Sequence, residues 1–340
     1  MMKNKIKMAL ILLYGIISTL ILSSCFGSSY DVMVVVDKLT GKGDSFNQQA
    51  VDGIKLAKKN FDIDYEIKEA KDDDDFPNLL KEVDKNTDLV IGIGYKPEES
   101  IIKMAQKYPD TEFVMVDCTY DGKLSNVVGI SYKVQESSFL VGYIAGMTTK
   151  TDKVGFIGGV ENSSIIPFEY GYRAGVRYAA AQLDKAIAVK AVYINSFQDS
   201  ALAQEKAGEM YADDIDIIFQ ASGSAGIGVI NAAKENGKYV IGVDMDQSSL
   251  APGNVLTSAL KDVMTTVYDV VDNYKEKTKS TEKTIQLGLY EGGVGIPQEN
   301  PLVDKDVLKR TFELEDLIIN GDIVPPADKG SYEEYIKTLK

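Results

Sequence analysis

Three stretches of the chain carry residues suited to gripping a small molecule. The first is Asp37, followed across a turn by Asp44-Ser45-Phe46-Asn47-Gln48, which sets an aromatic face beside carboxylate and amide groups. A flat heterocycle needs that combination, because stacking contributes roughly 1–3 kcal/mol while the polar groups read its edge. Asp44 or Ser45 would also cap the helix that starts here, with Gly41 and Gly43 supplying the turn. The second stretch is Gly242-Val243-Asp244-Met245-Asp246-Gln247. One carboxylate there can accept two hydrogen bonds from vicinal hydroxyls, as on a ribose or another sugar edge. Asp246 then reads as a solvated or capping neighbour, and a catalytic acid pair or a cation site is the competing chemistry. Lys261, in Thr257-Ser258-Ala259-Leu260-Lys261, is placed to donate to the same hydroxyls. The third stretch, Ala221 to Gly228, is Gly-rich but lacks the G-x-G-x-x-G spacing of a dinucleotide site. Its Ser222 and Gly223 instead allow backbone N–H groups close to a ligand.

Composition narrows the chemistry further. The 340 residues contain no His, which removes Ser-His-Asp and Cys-His nucleophiles, His-ligated metals and His pH switches together. With 51 Asp and Glu against 37 Lys and Arg, the net charge is −14, which disfavours phosphate neutralisation and hence nucleic-acid binding. Asp72-Asp73-Asp74-Asp75 lacks the spacing and glycine of a calcium loop and reads as a solvated loop before a helix. The two cysteines, Cys25 and Cys118, allow at most one disulfide. Cys118 has no base to activate it and reads as a buried, inert thiol.

Those residues must be positioned by regular elements, and the chain supplies them in alternation after an N-terminal address. Lys3, Lys5 and Lys7 precede an apolar run from Met8 to Leu22, about 15 residues against the roughly 20 that span a bilayer. Residues 1–24 therefore read as a signal peptide. Ser23-Ser24 directly before Cys25 resembles a bacterial lipobox, in which that Cys is lipidated and becomes the mature N-terminus. Phe26-Gly27-Ser28-Ser29 follows as part of a short linker over residues 25–30. The expected product is extracytoplasmic and anchored to the cell membrane through Cys25, with Cys118 left unpaired.

From Asp31 onward, short β-branched runs alternate with helical periodicity. Val32–Val36 is a continuous apolar run, as expected of a strand buried on both faces. Further strands are expected at Tyr65–Ile67, Leu89–Ile93, Phe113–Val116 and Val127–Ile130, with helices from Ser45 and around Phe76–Val83, Glu98–Lys107 and Gln135–Thr148. A second series begins at Lys153, with strands at Val154–Ile157, Ala188–Ile194, Ile215–Phe219 and Tyr239–Val243. Its helices fall near Glu169–Leu183, Ala201–Ala212 and Gly226–Lys234. The spacing is that of βαβ units, so the fold class is α/β, two doubly wound parallel-sheet lobes joined by a hinge. The first lobe is expected over 31–150, completed by about 252–340, and the second over 151–251. The tail adds one strand and helix, a Gly-rich segment from Leu287 to Gly295 and a last helix near Lys305–Ile319.

Ligands in such sheets lie beyond the carboxyl ends of the strands. The residues that follow the apolar runs are Asp37, Gly94-Tyr95, Asp117, Glu161-Asn162-Ser163, Ser196-Phe197-Gln198-Asp199, Ala221-Ser222-Gly223 and Asp244. None is Lys or Arg, so the expected ligand is neutral and hydroxyl-bearing, with an aromatic or apolar face.

In this order the motifs resemble the basic membrane protein family of bacterial lipoproteins. The resemblance covers nearly the whole chain after the signal segment. Besides Asp37 and Asp44 to Gln48, it rests on Phe113-Val114-Met115-Val116-Asp117, Phe139-Leu140-Val141-Gly142-Tyr143 and Val154-Gly155-Phe156-Ile157-Gly158-Gly159. Phe168-Glu169-Tyr170-Gly171-Tyr172, Asp216-Ile217-Ile218-Phe219-Gln220-Ala221 and Ile241 to Gln247 complete it. The family's purine nucleoside receptor branch supplies the substrate-binding components of ABC importers, of type I periplasmic-binding-protein fold. By that resemblance Phe46 stacks on a purine, with Asp37, Asn47 and Asp117 near the base, and Asp244 and Lys261 hold the ribose hydroxyls. Phe197 is the expected second aromatic from the other lobe. Lys38-Leu39-Thr40 departs from the Gly-rich run that family members often carry after the first Asp.

The implied role is capture of a purine nucleoside such as adenosine, guanosine or inosine and its delivery to an ABC permease by a monomer, with no cofactor, metal or bond-making step. Three alternatives stay open on the residues alone. They are the same fold binding a sugar or another heterocycle, a surface adhesin or antigen lipoprotein, and a secreted enzyme that uses the carboxylates as acid and base.

Overall fold

The computed structural model of the chain describes residues 30–40, 45–278 and 280–339. The signal segment, Cys25 and the Phe26–Ser29 linker lie outside the described residues, as do Gly41, Gly43 and Asp44 with the capping role expected of it. Strand β1 (Val32–Val36) is buried at every position, as its unbroken run of β-branched and apolar residues requires. It leads to helix α1 (Ser45–Asn60), β2 (Tyr65–Glu69), the short α2 (Phe76–Leu80), β3 (Leu89–Ile93), α3 (Glu98–Lys107), β4 (Glu112–Val116) and β5 (Val127–Tyr132). The acidic run forms a turn before α2, with Asp72 accepting from the Asp74 N–H.

The chain continues through α4 (Val134–Thr148), β6 (Lys153–Gly158), α5 (Ile166–Gln182), β7 (Ala188–Tyr193), α6 (Ser200–Ala212) and β8 (Ile217–Ala221). Then come α7 (Gly226–Asn236), β9 (Tyr239–Asp244), β10 (Val255–Lys261), α8 (Val263–Lys275), β11 (Thr284–Leu287), β12 (Val294–Gly295), α9 (Lys305–Ile319) and α10 (Lys329–Thr338). The strands assemble into two sheets, ordered β11-β5-β4-β3-β1-β2 and β12-β10-β9-β8-β6-β7. Every pairing is parallel except that of β12 with β10. This is the doubly wound α/β architecture that the alternation implies.

Lobe membership differs from the expected boundaries in three places. Helix α4 follows a strand of the first sheet but lies against α5, β10 and β12 of the second. Its sequence, Val134 to Thr148, is apolar nearly all round, with eleven buried residues, so it needs cover on more than one side. Glycines provide that closeness: a Cβ at Gly175 would stand 2.0 Å from the Phe139 carbonyl oxygen. Strand β10 pairs with β9 and so belongs to the second sheet rather than completing the first. Finally, α9 and α10 lie against α4 and α5 of the second lobe. Of the tail, α8 on α1 and β11 beside β5 are what return to the first lobe. The chain therefore crosses between lobes after β5, after β10 and between β11 and β12. The first crossing comes before α4 rather than after residue 150.

Candidate functional site

A cleft between the sheets is lined from both sides by residues that follow strand ends. Asp37 comes after β1, Gly94, Tyr95 and Lys96 after β3, and Asp117 after β4. From the second sheet, Asn162 comes after β6, Phe197 after β7, Gly223 after β8, Asp244 ends β9 and Lys261 ends β10. Phe46 and Phe168 enter from the first turns of α1 and α5. The structure thus brings together Asp37, Phe46, Asn47, Asp117, Phe197, Gly223, Asp244 and Lys261, which lie up to 224 positions apart in the sequence.

Lys261 is the electrostatic centre. Its Nζ lies 3.0 Å from Asp117 Oδ2 of the first lobe and 3.5 Å from Asp244 Oδ1 of the second. The same ammonium stands 4.3 Å from the centre of the Phe46 ring, within cation–π range. Only 5% of its side chain is exposed, against 15% for Asp117 and 6% for Asp244. Burial alone would depress the ammonium, but the two carboxylates outweigh it and hold Lys261 above the ordinary lysine range. Burial raises the Asp244 carboxyl in spite of Lys261, and the neighbouring Asp117 adds to the rise. Asp117 and Asp244 both take positive φ, 64° and 67°, a left-handed conformation that Asp tolerates better than most residues. That conformation turns each strand end into the cleft.

Ser45 and Gln49 tie the lobes together around Asp244. Ser45 opens α1, and its Oγ donates to Asp244 Oδ2 at 3.1 Å, so the hydroxyl serves the other lobe as well as sitting at a helix start. Gln49, one turn on, donates from Nε2 to the Asp244 carbonyl at 3.2 Å and accepts from the Val263 N–H at 3.2 Å. The sequence reading missed Gln49. Its signal was the i, i+4 spacing from Ser45, which puts both on one face of α1.

The second cation at the site corrects another expectation. No Lys or Arg was expected just past the strand ends, yet Lys96 lines the cleft and bonds Asp37 Oδ2 at 2.6 Å and Asp73 Oδ1 at 2.7 Å. Burial disfavours its charge, and the hydrogen bonds to Asp37 and Asp73 more than compensate, raising its pKa. The lining then carries Lys38, Lys96 and Lys261 against Asp37, Asp117 and Asp244. Lys96 and Lys261 are both paired with aspartates of the site.

Ser222 does not line the cleft. It is fully buried, and its N–H and Oγ both donate to Gln220 Oε1, at 3.1 and 3.0 Å. The next residue, Gly223, does reach the cleft, with φ 58°. Phe197 lies over Gly159, where a Cβ would come within 2.4 Å of its ring. Phe168 is a second apolar wall from the same lobe, a site residue that the sequence reading missed although it lies in the Phe168-Glu169-Tyr170-Gly171-Tyr172 motif. Cys118 is buried beside Glu98, 3.6 Å from Oε2, and burial with that carboxylate pushes its thiol up to about 12. A thiol so placed is inert, as its surroundings implied.

Comparisons with known proteins bear on the family and the fold. The family model described as "ABC transporter substrate-binding protein PnrA-like" matches residues 30–329. Basic membrane protein A of Borreliella burgdorferi is 37% identical over 338 residues, covering 96% of this chain and 98% of its own. Basic membrane protein A1 of Borrelia garinii subsp. bavariensis is 39% identical over 298 residues, 86% of this chain and 87% of its own. Among solved structures, a solute-binding protein of an ABC transporter system from Aeropyrum pernix superposes with a TM-score of 0.80 at 23% identity, covering 91% of this chain and 97% of its own. That likeness shows the fold, a type I periplasmic-binding-protein arrangement. With the family model spanning both lobes and relatives above 30% identity over most of the chain, the protein belongs to the Bmp family of PnrA-like ABC transporter substrate-binding proteins.

Proposed function

We propose that the protein captures a neutral purine nucleoside in the interlobe cleft and hands it intact to an ABC permease, while Cys25 anchors it, outside the cytoplasm, to the cell membrane. The observation that carries this reading is the Asp117–Lys261–Asp244 cluster, shared between lobes and set against the Phe46 ring. Carboxylates accept from vicinal hydroxyls, the ammonium donates to them, and an aromatic wall beside them suits a flat base. A sugar with its hydroxyls facing this cluster would leave Phe46, Phe168 and Phe197 with less to cover. Closure follows from differential affinity: a ligand touching Asp117 on one lobe and Asp244 on the other favours the closed state over the open one. No step in this cycle makes or breaks a bond.

The test is direct. The full chain, purified in mild detergent and denatured, is expected to release a purine nucleoside identifiable by mass spectrometry. Calorimetry on the emptied protein should then show saturable binding of adenosine, guanosine or inosine and none of glucose or galactose. Binding of a hexose without any nucleoside would replace this reading with the sugar one.

A further inference from the structure

Asn162 follows β6 and precedes α5, in the second-lobe wall of the cleft. Its Oδ1 accepts from the Ser164 N–H at 3.0 Å and the Ile165 N–H at 3.1 Å. Two backbone donors on one oxygen fix which end of the amide is which, because the flipped amide would point its NH2 at two N–H groups. The NH2 is therefore turned away from the helix start. It is shielded from solvent, yet among the described residues no protein acceptor meets it. A buried donor left without an acceptor is costly, and the residue that carries it lines the cleft.

Resting on the nucleoside reading above, we infer that Asn162 determines specificity by donating from Nδ2 to a ring nitrogen of the bound purine. The division of labour within the site points to the base rather than the ribose. Hydroxyl groups have Asp244 and Lys261 to meet them, whereas Asn162 shares its wall with Phe168 and Phe197. A purine held by aromatic rings presents lone pairs in its own plane, at its edge, where an amide donor in the wall can reach them. The same donor works against a sugar: a ligand without such an acceptor leaves the NH2 buried and unpaired, and sites built to hydrogen-bond reject ligands that cannot answer.

Two substitutions remove the NH2 and keep the turn. Asn162→Asp retains a side-chain oxygen for the Ser164 and Ile165 N–H groups, and Asn162→Ser retains a shorter one. The full chain in detergent and both variants are titrated calorimetrically with adenosine, inosine and guanosine and with their 3-deaza and 7-deaza analogues, each lacking one ring nitrogen. The expected result is about tenfold weaker binding of the natural nucleosides to both variants, with thermal unfolding unchanged. One deaza analogue should bind the wild-type chain correspondingly weakly and lose nothing further in the variants, since the interaction is already absent. Equal losses for natural and deaza ligands alike, or variants that bind as the wild type does, overturn the assignment of Asn162 while leaving nucleoside binding standing. A wild-type chain that binds no purine nucleoside overturns both.

Discussion

The two lobes share one strand order and part company at the strand ends. Read across the sheets, β2-β1-β3-β4-β5-β11 matches β7-β6-β8-β9-β10-β12, with the last strand parallel to its neighbour in the first lobe and antiparallel in the second. Asp117 after β4 corresponds to Asp244 at the end of β9, and the two share nearly the same positive φ. Phe46 in the first turn of α1 corresponds to Phe168 in the first turn of α5. The match fails one strand over. Where β5 ends in Tyr132, β10 ends in Lys261, and the ammonium lies 5.7 Å from the centre of the Tyr132 ring. Tyr132 spends its hydroxyl on Thr266 of α8, at 2.7 Å. Two equivalent scaffolds therefore present two equivalent carboxylates, and a single non-equivalent cation serves both. The difference teaches how a pseudo-symmetric pair of lobes relieves like charges at its seam: two carboxylates that would repel across the cleft are joined by one ammonium from one side.

Breaking that asymmetry should have the largest effect. Lys261→Met removes the shared cation and leaves two buried aspartates facing each other, a change of the kind that costs about 3–5 kcal/mol. Nucleoside binding should disappear in calorimetry, and small-angle scattering should report a more open molecule. Lys261 also carries a pH signature. Its pKa is raised in the fold, so its contribution to stability is complete below the ordinary lysine value of 10.5 and is lost as pH rises through the higher folded value. The gap in melting temperature between wild type and Lys261→Met should accordingly persist at neutral pH and narrow only above that value.

Substituting the equivalent carboxylates one at a time sharpens the comparison. Asp244→Asn should weaken nucleoside binding by more than about tenfold without lowering the melting temperature, because burial works against the charge it carries. Asp117→Asn, at a more exposed position, should cost less affinity. Equal effects at the two sites would show that the lobes contribute alike despite the one-sided lysine. The smallest effect is expected from Gln49→Ala. It removes the bonds to the Asp244 carbonyl and the Val263 N–H without touching the charge cluster. Binding should weaken by about three- to tenfold, expressed as faster dissociation in stopped-flow traces.

Much of this molecule is legible in its residue order. Short β-branched runs and helical periodicity are local properties, so Val32–Val36, Leu89–Ile93 and the strands of the second series announce themselves within a few residues, and parallel sheets place the residue after each run at a common edge. That is why Asp37, Phe46, Asn47, Asp117, Phe197, Gly223, Asp244 and Lys261 could be picked out one by one. The alternation likewise implied two lobes. What it did not convey was which partner each polar group would choose. Lys261 meets Asp117 across 144 residues of sequence, Lys96 meets Asp37 across 59, and Ser222 turns inward to Gln220 instead of lining the cleft. The same holds for α4, which leaves the first sheet yet lies against the second because glycines let it approach α5. Element type follows from neighbours in the chain, whereas hydrogen bonds, ion pairs and helix docking are settled by groups that meet only once both sheets have formed, and for those the tertiary structure alone decided.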